Sequence, residues 1–184
     1  MKRLLIALGV VAVTLGGALA FMDGLSLRHE LEYRDPHLTL GEPLSVSVQN
    51  VRQSGWGGAL LESSTYGPPF DLYVFGTLPP DTPATSVALS GLRVTSDDGT
   101  TLLTVPFAPL PLADGETLRA GVTSANRTYS YEARAFTSAT PPSITVSLEL
   151  VFATSAEPRH QAITKQFHLN RIRRLSLGSH DWHF

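Results

Sequence analysis

The chain has 184 residues, with 14 basic and 16 acidic side chains, a formal net charge of −2 and no cysteine. A near-neutral balance offers nothing global for a nucleic-acid backbone to attract, and the lack of thiols excludes disulfides, thiolate metal sites and lipoprotein-type thioether attachment. Hydrophobic residues at 42% with 15 glycines and 13 prolines describe a folded, turn-rich chain whose stability must rest on core packing.

Met1, Lys2 and Arg3 give a positive start, and residues 4–15 are an apolar run able to engage a bilayer as a helix. Gly16 and Gly17 break that run ahead of Ala18-Leu19-Ala20, the small-x-small pattern at which signal peptidase cuts. No residue in 4–22 is charged, so a helix there has no polar face for water and does not suit a soluble surface. Two readings follow. Cleavage after Ala20 releases a periplasmic or secreted chain. Retention leaves a single membrane anchor, since 19 residues at about 1.5 Å each approach the ~30 Å hydrocarbon core. Either way the positive start stays inside and the remainder is extracytoplasmic.

The organisation expected is therefore a leader or anchor at 1–22, one domain at 23–170 and a basic, histidine-containing tail at 171–184. Apolar and polar residues alternate through the domain, which places successive side chains on opposite faces of a sheet. Leu27, Leu31 and Tyr33 oppose Arg28, Glu30, Glu32 and Arg34; Leu44, Val46 and Val48 oppose Ser45, Ser47 and Gln49. Ile144, Val146, Leu148, Leu150 and Phe152 repeat the pattern, and so do Ile163, Phe167 and Leu169. The runs predict about eight strands near 25–34, 44–51, 70–76, 86–95, 101–107, 128–136, 143–153 and 161–170. Asp98-Gly99 predicts a hairpin with a two-residue turn, in which Val94 faces Leu103 and Leu92 faces Val105.

Short strands joined by Pro- and Gly-rich turns, without crossover helices, predict an all-β fold: an antiparallel β-sandwich that resembles immunoglobulin or fibronectin type III domains in architecture. A small outer-membrane barrel fits less well, because aromatic girdles do not recur and 13 prolines interrupt strand hydrogen bonding.

Residues 53–69 form the longest stretch expected to be irregular, with Trp56 among glycines and Tyr66 before a Gly-Pro-Pro turn. It offers an aromatic partner-binding loop, or else a segment folded back to cover the sheet edge. Glu30 and Glu32 share a strand face with Arg28 and Arg34, which reads as a solvated charge ladder rather than a catalytic carboxylate pair. From residue 21 to 150 there are 7 basic and 14 acidic residues; from 151 onward there are 5 basic and 2 acidic. Arg171, Arg173 and Arg174 are the strongest basic cluster, suited to an acidic partner or anionic lipid. His180, Asp181 and His183, with Trp182 among them, are a weak metal candidate, since imidazoles and a carboxylate suit zinc or copper. Asn126-Arg127-Thr128 fits a glycosylation sequon.

No nucleophile elbow, zinc-protease helix, Walker loop or dinucleotide-binding fingerprint occurs, and no cofactor is implied. The expected function is a non-enzymatic protein-binding or structural module at the cell envelope, with an envelope or membrane protein as partner. The alternative is a periplasmic or secreted metal-binding or hydrolytic protein that uses the histidine-rich C-terminal third.

Overall fold

The computed structural model of the chain describes residues 25–36, 44–57, 61–79, 81–119, 122–177 and 180–183. The expected leader or anchor at 1–22 lies outside them, and among the described residues no helix is long and apolar enough to cross a membrane. The fold is all-β. Its strands are β1 (Leu25–Arg34), β2 (Leu44–Gly57), β3 (Leu61–Leu78), β4 (Ser86–Ser96), β5 (Thr101–Val105) and β6 (Ala108–Leu110). They continue with β7 (Ala113–Arg119), β8 (Val122–Thr137), β9 (Ser143–Ala153), β10 (Arg159–Leu177) and β11 (His180–His183).

All eight expected runs fall on strands, but the sheet is mixed rather than antiparallel. An antiparallel sheet was expected from strands that pair with their sequence neighbours. β1 instead skips β2 and runs parallel to β3, from Leu25 opposite Leu61 to Glu30 opposite Tyr66. The other registered ladders are antiparallel, and the hydrogen-bonded order is β5-β4-β9-β10-β1-β3-β8-β7, with β2 beside β3, β6 beside β4 and β11 beside β10.

The stretch at 53–69 is not an irregular loop. Residues 53–57 close β2 and residues 61–69 open β3. Gly, Ser and Pro weigh against strand locally, yet cross-strand pairing overrides propensity. Pro68 and Pro69 fall between the register with β1, which ends at Tyr66, and the register with β8, which begins at Phe70. Their missing N–H groups cost neither of those ladders a bond.

The Asp98-Gly99 hairpin has the expected register, with Leu92 opposite Val105 and Val94 opposite Leu103. Its turn is wider than two residues. Gly99 N–H donates to the Ser96 carbonyl (3.0 Å) and Ser96 N–H to the Thr100 carbonyl (2.9 Å), so Asp97 and Asp98 are the central pair. Gly99 alone takes positive φ, at 83°, and a register shift after Val94 absorbs the extra residue. The Asp98 carboxylate accepts from the Ser96 hydroxyl and the Thr100 N–H (2.9 Å), bonds that hold its pKa below the usual value. An acceptor placed over the turn in this way makes positive φ at Asp98 unnecessary.

Two compact units divide the chain. The first comprises Met1–Leu31, Arg52–Gly67 and Arg171–Phe184, and the second Glu32–Val51 and Pro68–Asn170. Every buried apolar side chain among the described residues belongs to the second unit. Alternation puts Val87, Leu89, Leu92 and Val94 of β4 and Ile144, Val146, Leu148, Leu150 and Phe152 of β9 on one inward face. Phe70, Leu72 and Val74 of β3 are fully buried, and Tyr33 meets Phe70 edge-on at 4.9 Å. The Tyr33 hydroxyl donates to the Pro141 carbonyl (2.8 Å), which satisfies its one polar group inside that core.

Candidate functional site

The second unit is interrupted at one end by a cleft of about 370 Å³. The inner face of β10 leads into it. Arg159 pairs with Phe152, Gln161 with Leu150, Ile163 with Leu148, Lys165 with Val146 and Phe167 with Ile144. Paired residues share a face, so Arg159, Gln161 and Lys165 are polar residues on the core-facing side. Lys165 is mostly buried, and its Nζ lies 3.0 Å from Asp35 Oδ2, an ion pair that compensates both charges. Arg159 and Gln161, at the opposite end of the same face, have no side-chain hydrogen bond or ion pair with any described residue. Both line the cleft.

Its walls are apolar: Leu44, Leu78, Pro79, Pro83, Tyr129 and Phe152. Tyr129 meets Phe152 edge-on, with ring centroids 5.9 Å apart, and its phenol lies directly over Gly76, its cross-strand partner. A side chain at Gly76 would occupy the space of that ring, which is why the position has none. Burial pushes the Tyr129 phenol up to about 12, and its hydroxyl has no protein partner among the described residues.

The segment between β3 and β4 forms the rim and is pinned from two sides. Arg127 donates through Nη1 to the Ala84 carbonyl (2.8 Å) and through Nη2 to the Thr82 carbonyl. Thr85 N–H donates to the Ala153 carbonyl (2.8 Å), and Thr82 N–H closes a turn onto the Pro79 carbonyl (3.1 Å). Arg127, which the sequence placed only inside a sequon, thus acts as a structural clamp. The result is an apolar slot with one unpaired cation, one free amide and one free phenol. That set is able to hold a ligand, and it supplies no nucleophile with a base beside it.

The outer face of the same unit carries a serine, a glutamate and a histidine together. Ser90 Oγ donates to Glu149 Oε2 (2.8 Å), and His160 Nδ1 lies 3.0 Å from Glu149 Oε1. These contacts, Ser90 first, hold the Glu149 carboxyl below its usual pKa. The order is wrong for acyl transfer. A general base must sit on the nucleophile, whereas here the carboxylate separates hydroxyl from imidazole. A shallow groove of about 350 Å³ runs beside them over Gly91, Arg93, Ser147 and Ala162.

The first unit holds the other sequence candidates. Tyr66 is half-buried in β3 under the Arg28 guanidinium, 4.8 Å from the ring centroid. Arg28 also pairs with Glu30 (3.3 Å), and Arg174 approaches the other Glu30 oxygen at 3.7 Å. Glu30 is only 9% exposed, so the expected solvated ladder is at this position a buried carboxylate between two arginines. The reason is local, since Arg28 at 43% and Arg34 at 60% exposure leave the rest of that face open. Tyr66 and Arg174 are thereby brought to one charged cluster. Arg171 and Arg173 alternate away from Arg174 and are exposed in β10. Trp56 is 60% exposed, so it does not fold back over a sheet edge.

Residues 171–177 continue β10, and the backbone of 180–183 pairs with it: His180 with Leu177, Asp181 with Ser176, Trp182 with Leu175 and His183 with Arg174. The side chains of 180–183 lie outside the described set, so the metal candidate His180, Asp181 and His183 falls outside it too. Among the described residues no group of three His, Cys, Asp or Glu is placed to hold a metal ion.

Sequence reasoning missed Arg159, Gln161, Lys165 and Arg127. A parity signal exists for the first three, since all share the odd positions of Ile163 and Phe167. No family model, no curated protein and no solved structure matches the chain.

Proposed function

We propose that the chain is an exported, non-enzymatic binding module, a β-sandwich of immunoglobulin or fibronectin type III character that holds a partner at the cell envelope. The observation that carries this reading is the cleft of the second unit: apolar walls, a clamped rim, and an inner-face cation and amide left without protein partners. Arg159 is exposed and Gln161 half-buried at the mouth of the cleft, so both side chains are accessible, and polar groups that converge on an apolar concavity are a binding arrangement. The wiring of Ser90, Glu149 and His160 supports binding over hydrolysis. Export is supported by the charged start, apolar run and Ala18-Leu19-Ala20 pattern, and the envelope partner by the exposed Trp56, Arg171 and Arg173.

The test combines topology with capture. Protease added to spheroplasts, whose outer layer is opened and cytoplasmic membrane intact, is expected to digest the domain, and mass spectrometry to show either Phe21 or Met1 as the first residue. A photo-crosslinking residue at Pro79, on the rim, is expected to give discrete adducts in the envelope fraction. Protection of the domain in the cytosol, or no adduct at Pro79 in cells, would sink the reading.

A further inference from the structure

We infer that the cleft of the second unit is a site for an amphiphilic carboxylate, with an acyl chain between Leu44, Leu78, Tyr129 and Phe152 and its carboxylate at Arg159. The inference rests on reading that cleft as the binding site, and it names what the site takes. Three observations lead to it.

The first is the contrast along the inner face of β10. Lys165 and Arg159 both project from the core-facing parity, six ladder pairs apart, opposite Val146 and Phe152. Lys165 has its carboxylate in Asp35. Arg159, exposed where the cleft opens, has none among the described residues, so its guanidinium is available to an incoming anion. A guanidinium offers a planar fork that matches a carboxylate with two parallel hydrogen bonds.

The second is the neighbouring chemistry. Gln161, two residues along the same face, has a free side-chain amide, whose N–H donates to an anion as readily as its oxygen accepts. Among the described residues no carboxylate lines the cleft, so a bound anion meets no like charge from them there.

The third is the shape and lining behind the cation. Tyr129, Phe152 and Leu44, 3%, 5% and 4% exposed, belong to the buried core and form an apolar floor, while Pro79, Pro83 and Arg159 around them are exposed. An extended peptide would need a free strand edge for main-chain bonds. The side-chain donors Arg159 and Gln161 at the mouth of a greasy slot need only one charged head with an apolar body behind it. A volume of about 370 Å³ is in the range of small-molecule sites.

The test is a titration of the full chain followed by two-dimensional NMR, with octanoate, octan-1-ol and octylamine as probes. Octanoate is expected to saturate the signals of Gln161, Tyr129 and Phe152 and to bind about tenfold more tightly than octan-1-ol, with octylamine weakest. Arg159→Gln is expected to remove that tenfold preference while octan-1-ol binding stays unchanged. Gln161→Phe, which places an aromatic ring in the slot, is expected to abolish binding of both probes at an unchanged urea midpoint. Equal affinity for octanoate and octan-1-ol would overturn the carboxylate assignment and leave the cleft a binding site. Undiminished octanoate binding in Gln161→Phe would overturn its location. Absence of any saturable shift, alongside adducts at Pro79, would overturn the ligand class while the module reading stands.

Discussion

The two units bury different things. Among the described residues, the second unit encloses every buried apolar side chain, and the one mostly buried ion pair with both partners inside it is Lys165 with Asp35. The first unit has Glu30 and Ser64 as its buried side chains, with Arg28 and Arg174 drawn onto Glu30. Apolar burial is non-directional and tolerates an imperfect fit, whereas a buried carboxylate is held only by specific partners at specific distances. The stability of the second unit is therefore spread over many contacts, and the buried interactions described in the first are concentrated on one charged side chain.

That contrast is most easily broken at Asp35. Replacement by Ala removes the carboxylate that faces Lys165 on the inner face of β10, and a loss of about 3 kcal/mol is expected, near the low end for breaking a buried pair. Urea denaturation measures it, and a loss within experimental error would show that Lys165 reaches water unaided.

The next effect comes from the tyrosines of the second unit. Burial raises the Tyr129 phenol to about 12, and burial together with the nearby Asp97 charge raises Tyr33 to about 12. The folded chain thus keeps phenolic protons that the unfolded chain releases near pH 10. The associated stability is complete below pH 10 and is lost as pH rises through 12, by about 2 kcal/mol for each ring. Urea midpoints between pH 9 and 12 follow this loss, and Tyr129→Phe should remove roughly half of the slope.

The smallest effect belongs to the first unit. Glu30→Ala frees Arg28 and Arg174, which are 43% and 27% exposed and able to turn toward water, so a cost of about 1 kcal/mol is expected. A loss larger than that of Asp35→Ala would reverse the comparison and make the charged cluster the stronger determinant.

The strands of the second unit were legible because alternation encodes a single buried face, and β9 is the clearest case, with its even positions buried from Ile144 to Phe152. The first half of β3 was not legible, since LESSTYGPP carries no alternation and few strand-forming residues beyond Thr65 and Tyr66, and is placed by its pairing with β1. β7, ADGETLR, ends the hydrogen-bonded order and has polar residues where a pattern would be sought. The parallel β1–β3 pairing has no local signature, because it depends on which distant strand is adjacent. The candidate site was half visible. Phe152 stood out as an inward residue, but the unpaired state of Arg159 became meaningful only once Lys165 was seen to have Asp35.

The position of β1 in the hydrogen-bonded order has a consequence for biosynthesis. β1 sits between β10 and β3. It is the earliest described strand to leave the ribosome, yet neither neighbour exists when it does, and one of them is the second-to-last strand made. Lys165 meets Asp35 across 130 positions of chain. Contacts of such range slow folding, and an unpaired strand edge invites association with other chains. Nascent β1 must therefore wait with both edges open, which makes shielding by a chaperone, or retention in an unfolded state, a requirement of this topology until β10 is synthesised.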